Sequence, residues 1–137
     1  MTTWKSRTTA LVVATGALAL GALSTPAYAA AADPGSLCGA GYSVIDSHKF
    51  QSVGATVYLL YSGSAGKNCV VTIRDKAGKA AYMEASLQVQ GGASQGDSGS
   101  YTAYAGPVRL AAGGKCVKWH GMFGGDESWT SGWSHCG

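Results

Sequence analysis

The chain has 137 residues, of which only 12% are charged and 21 are glycine. That length holds one domain and excludes a two-domain enzyme or a multi-span membrane protein. The net charge of +3 comes from 10 Lys and Arg against 7 Asp and Glu. The cations are scattered, not gathered into the basic face that a nucleic-acid binder needs.

The first element is a leader. Lys5 and Arg7 precede an uncharged apolar run over residues 9–23 (TALVVATGALALGAL). Ser24-Thr25-Pro26 interrupts it, and Ala27-Tyr28-Ala29 supplies the small residues of a cleavage site. This is the three-part pattern of a secretory signal peptide. The run is shorter than the roughly 20 residues that span a bilayer. Residues 1–29 are therefore expected to be removed after Ala29, with Ala31 as a second fit. Residues 30–137 then form a single secreted domain with no membrane attachment. Removal of Lys5 and Arg7 lowers Lys+Arg from 10 to 8 against 7 acids, so the net charge falls from +3 to +1.

All four cysteines, Cys38, Cys69, Cys116 and Cys136, follow the leader. An even number in a short exported chain predicts two disulfides. Three pairings are open. Cys38–Cys69 with Cys116–Cys136 is expected, because the shorter loops close more easily. Spacings of 31, 47 and 20 residues do not fit a zinc site.

The remaining elements read as strands. Residues 32–35 form a flexible lead-in. Residues 53–61 (VGATVYLLY) are rich in β-branched and aromatic side chains. Residues 68–74 (NCVVTIR) follow, with Cys69, Val71 and Ile73 on one face. Residues 80–90 (AAYMEASLQVQ) alternate, with Met83, Ala85, Leu87 and Val89 opposite Tyr82, Glu84, Ser86 and Gln88. Residues 91–99 (GGASQGDSG) read as a polar loop. Residues 101–105 and 108–111 are short strands around Pro107, which implies an edge, a bulge or a break. Residues 115–120 (KCVKWH) form a further strand before a glycine-rich aromatic tail. About six to eight short strands and no amphipathic helix predict an all-β fold. It is expected to be a small antiparallel sandwich or barrel with two disulfides.

Several blocks resemble a known family. They are Leu37-Cys38-Gly39-Ala40-Gly41-Tyr42, GKNCVVTIR at residues 66–74, YTAYAGPV at residues 101–108, and the ending Ser134-His135-Cys136-Gly137. Together they resemble the spore-associated protein A family of filamentous spore-forming actinobacteria, over essentially the whole exported part. Some relatives carry a further cysteine pair in the region of residues 82–99, which this chain lacks. The resemblance implies a small exported protein of the spore or cell surface. It implies no known reaction.

The chemical motifs are weak. Gly96-Asp97-Ser98-Gly99-Ser100 matches the block around a serine-protease nucleophile. About 108 residues cannot supply that fold's two barrels, and Gly, Asp and Ser are turn residues in any case. Residues 63–68 lack the spacing of a phosphate loop. Glu84, His120, Arg74 and Arg109 are the types a small secreted ribonuclease uses, but no spacing joins them. His48, His120 and His135 show no metal-ligand spacing. A protease inhibitor would need a rigid loop, which the glycine-rich residues 91–100 do not predict. No catalytic, cofactor or metal residue is assigned, and a non-catalytic monomer is expected. The most suggestive group is aromatic: Tyr101, Tyr104, Trp129 and Trp133 are the candidate binding face. Its expected partner is a cell-wall or spore-surface polymer, through ring stacking. Trp119 is expected in the core, with Trp129 and Trp133 exposed.

Overall fold

The computed structural model describes Gly21 and residues 31–137. Apart from Gly21, the expected leader lies outside the described residues, as does the expected cut at Ala29. The described residues form eight strands and one short helix, α1, Pro34–Cys38. The expected flexible lead-in is thus ordered by a cap. The Asp33 carboxylate accepts the Ser36 N–H at 2.7 Å, and Pro34 opens the helix.

The first sheet contains β1 (Ser43–Lys49), β2 (Ala55–Ser62), β3 (Lys67–Arg74) and β6 (Tyr104–Ala111), in the order β1-β2-β3-β6. The second contains β4 (Ala81–Val89), β5 (Ser94–Tyr101), β7 (Val117–Phe123) and β8 (Glu127–Thr130), in the order β5-β4-β7-β8. Every ladder is antiparallel. The two sheets pack face to face as a sandwich.

The core lies between them. Val57 and Leu59 of β2, Val70 of β3 and Val108 of β6 meet Met83 and Leu87 of β4 and Trp119 of β7. Burying each such side chain stabilises the fold by about 1.5–3 kcal/mol. The expected alternation of β4 holds: Met83, Ala85, Leu87 and Val89 are buried, and Tyr82 and Gln88 are exposed.

A second cluster sits on the other face of the first sheet. Leu60, Cys69, Val71 and Ile73 pack there with Cys38, and with Leu37 and Tyr42 from the α1 segment. Both faces of β2 and β3 are therefore covered, which is why their sequences are nearly continuous apolar runs. The two disulfides are the expected pairs. Cys38–Cys69 ties α1 to β3, and Cys116–Cys136 ties the start of β7 to the tail.

Three readings change. Residues 94–101 are strand β5, not a loop; they pair along β4 from Ser94↔Gln88 to Tyr101↔Ala81. Residues 43–49 and 127–130 are strands that the sequence pattern did not reveal. The strands expected at residues 101–105 and 108–111 are redrawn: Tyr101 ends β5, and Tyr104–Ala111 run without a break through Pro107 as β6. Pro107 fits because β6 lies at a sheet edge, where a missing N–H costs no ladder bond, and because the β3–β6 register shifts between Val70 and Thr72. Gly106 has φ 93°, and a Cβ there would lie 2.7 Å from the Val70 carbonyl oxygen.

Candidate functional site

The four aromatic candidates do not share one face. Tyr101 ends β5 at one edge of the second sheet and packs on the core. Its hydroxyl donates to Asp97 Oδ1 at 2.5 Å, and that bond pushes the phenol above its ordinary pKa. Tyr104 lies in the first sheet, against the second cluster. Trp129 stands opposite Gly121 at the other edge of the second sheet. It is half-buried, not exposed as expected. Its ring stacks on His48 at 4.4 Å and meets the Trp119 ring edge-on at 4.6 Å. Trp133 is exposed, 4.6 Å from Lys118 Nζ. Lys118 alternates with the buried Val117 and Trp119, so Trp133 is on the outer side of the sheet and Trp129 on the inner side.

That outer side carries a hydrogen-bonded row across three strands. The Tyr82 hydroxyl donates to Glu84 Oε1 at 2.5 Å. His120 Nε2 lies 3.1 Å from Glu84 Oε2, and its Nδ1 lies 2.7 Å from Thr130 Oγ1. An imidazole with its proton on Nε2 donates to the carboxylate and accepts from the threonine. The bond to Glu84 is the main cause holding the Tyr82 phenol above its ordinary pKa. Two of the ribonuclease-type residues, Glu84 and His120, are thus neighbours. The arginines are not with them. Arg74 donates to the carbonyls of Lys79 and Thr102, and Arg109 to those of Leu37 and Cys38. Each fastens backbone at a distance from the pair.

The protease-like block is part of β5. Asp97 accepts from Tyr101 and from the Gly106 N–H at 2.8 Å, and Ser98 stands opposite Glu84. The Ser98 side chain bonds to Tyr82, and His120 bonds to Glu84 and Thr130, which is not the serine–histidine–acid order of that chemistry. The three histidines stand apart, on Trp129, Glu84 and Asp46. Among the described residues, no group of three or more His, Cys, Asp or Glu is placed to hold a metal ion.

A cleft of about 270 Å³ opens at one end of the sandwich. Ile45, Tyr61 and Asn68 of the first sheet line one side, and Ala112, Lys115 and His135 line the other. His135 Nε2 lies 3.0 Å from Asp46 Oδ2. The contact joins the tail, which is stapled to β7, to β1 of the first sheet. Sequence reasoning missed this cleft. Its residues come from four separated stretches, and Tyr61 reads there only as a strand aromatic.

The class is now defined: a small all-β sandwich stapled by two disulfides, with one outer face covered and the other polar. The chain is 44% identical over 135 residues to spore-associated protein A of Streptomyces coelicolor, covering 93% of this chain and 86% of that protein. It belongs to the spore-associated protein A family. No family model matches it, and no solved structure does.

Proposed function

We propose that this is an exported, non-catalytic protein of the spore or cell surface that acts by holding to a wall or spore polymer. The observation that carries the reading is the likeness to a protein named for its association with spores. Two disulfides suit an oxidising exterior, where thiols are not kept reduced. The leader pattern of residues 1–29 supplies the route out. The side chains that look catalytic are engaged in structural bonds: Asp97 with Tyr101 and Gly106, Arg74 and Arg109 with carbonyls. The protein works as a monomer without a cofactor.

Fractionation of sporulating cells tests this directly. Recovery of the protein on spores or outside cells, with Ala30 or Ala32 as its first residue, supports it. An intact Met1 in the cytosolic fraction overturns it. The non-catalytic part is tested with RNA and with a serine-directed fluorophosphonate. RNA cleavage that disappears in His120→Ala, or stoichiometric labelling of Ser98, would remove it.

A further inference from the structure

The end cleft has no part in the reading above, and its construction is unusual for this molecule. Of the five exposed large apolar side chains among the described residues, three lie on β1 and β2 at this end: Val44, Ile45 and Tyr61. The β1–β2 register shifts between Val44 and Asp46, so Ile45 is the extra residue of a bulge. A bulge re-aims a side chain out of the strand's alternation, and Ile45 lines the cleft beside Tyr61. The opposite wall is low. Gly113 and Gly114 form a tight turn with φ of 55° and 76°, closed by the Lys115 N–H to the Ala112 carbonyl at 3.0 Å.

The polar part is held from several sides. His135 is the one described non-glycine residue with a positive φ, 52°. Paired backbone bonds between Ser134 and Val117, at 2.8 and 3.0 Å, fix it on one side. The Cys116–Cys136 bridge fixes it on the other. Asp46 then orients the imidazole. Asn68, 3% exposed, is oriented by its amide donating to the Leu60 carbonyl at 3.3 Å.

We propose that this cleft binds one neutral sugar ring of a polysaccharide. A sugar has a C–H face and a rim of hydroxyls. The C–H face fits against Tyr61 and Ile45, and the hydroxyls reach His135, Asn68 and Lys115. The volume falls near the small end of ligand sites, about 300 Å³, which suits a single ring. A wholly apolar ligand would desolvate the Lys115 ammonium and offer it no hydrogen bond. An anion would meet one lysine with the Asp46 carboxylate nearby. The proposal deepens the surface reading by naming its ligand and the residues that hold it, and it rests on that reading for the source of the sugar.

The test is an NMR titration of the purified, disulfide-bonded protein with cellotriose, chitotriose and trigalacturonic acid. At least one neutral trisaccharide is expected to bind saturably, with shifts centred on Ile45, Tyr61 and His135. Tyr61→Ala, at an exposed position, is expected to weaken binding about tenfold or more, a loss well outside titration error. His135→Gly removes the imidazole where glycine accepts the backbone, so it is expected to keep the fold and to weaken binding likewise. The proposal fails if no neutral sugar binds, if the acidic sugar binds more tightly, if the shifts centre on Tyr82 or Trp133, or if both variants bind normally. A spore-bound protein that ignores sugars sinks only this inference. A sugar-binding protein found in the cytosol sinks only the surface reading.

Discussion

Gly121 sets how closely the two sheets approach. It lies on the inner side of β7, where a Cβ would come within 2.6 Å of both Val57 Cβ and Thr72 Oγ1. Thr72 cannot yield freely, because its hydroxyl donates to the Glu84 carbonyl at 2.7 Å. Gly121→Ala is expected to destabilise the fold by about 1–3 kcal/mol through overpacking. Urea unfolding measures this, and a change below about 0.5 kcal/mol, the usual range of surface substitutions, contradicts it. Glu127 acts at the same scale but through charge. Its carboxylate accepts from the Ser52 hydroxyl and from the Gln51 and Ser52 N–H groups, and so fastens the β1–β2 loop of one sheet to β8 of the other. The Ser52 hydroxyl is the leading cause holding its pKa below the ordinary 4.5, with the two N–H groups and His48 also favouring the charged form. A carboxylate depressed in the folded state stabilises fully above its unfolded pKa, and that contribution fades as pH falls through the folded one. Glu127→Gln is therefore expected to melt below the parent protein at pH 7, with the gap closing well below pH 4.5. A gap that stays constant across the pH series refutes the charge account.

Among the elements, legibility followed burial. β4 was readable because one face is core and the other is solvent, so its alternation is clean. β2 and β3 were readable as strands because both faces are covered. Which face met the core was not readable: Cys69, Val71 and Ile73, expected together, lie under α1, while Val70 faces the second sheet. β5 reads as a loop because Ser, Gln, Gly and Asp are poor strand formers. It is a strand because β4 offers it a ladder, and because Asp97 ties it to Tyr101 and Gly106. Neither bond has a local signature. β1 was hidden for a related reason, since an exposed edge strand with a bulge carries no period of two. The covered face of the first sheet gives an element-scale prediction. Cys38→Ala with Cys69→Ala removes the covalent tie between α1 and β3. The double variant is expected to lose about 3 kcal/mol of stability. It should also bind a hydrophobic dye as Leu60, Val71 and Ile73 lose their cover. Unchanged dye binding together with unchanged stability would mean that packing alone holds α1.

At the scale of the whole molecule, the sequence located its aromatic residues but not their sides. Trp129 and Trp133 are four residues apart, yet one is stacked inside on His48 and the other lies outside by Lys118. The chain turns at the end of β8 between them, and spacing alone does not encode that turn. The end cleft was less legible still. It exists only after the tail's His135 has been brought to Asp46, 89 residues away in the chain. Charge, by contrast, is readable from composition, and it constrains how the molecule would hold to a surface under the proposed role. Residues 30–137 carry 8 Lys and Arg against 7 Asp and Glu. Several are already committed, with Arg74 and Arg109 on carbonyls and Lys49 paired to Asp75 at 3.9 Å. A surface so nearly neutral has little long-range attraction to offer an anionic wall polymer. The proposed attachment would then come from short-range contacts that salt does not screen. At about 1 M salt, ionic attraction reaches only about 3 Å. Washing spores with 1 M sodium chloride is therefore expected to leave most of the protein in place, while a concentrated neutral sugar should release it. Release of most of the protein by salt alone would show that ion pairing carries the attachment, and would move the search from the cleft to the exposed lysines.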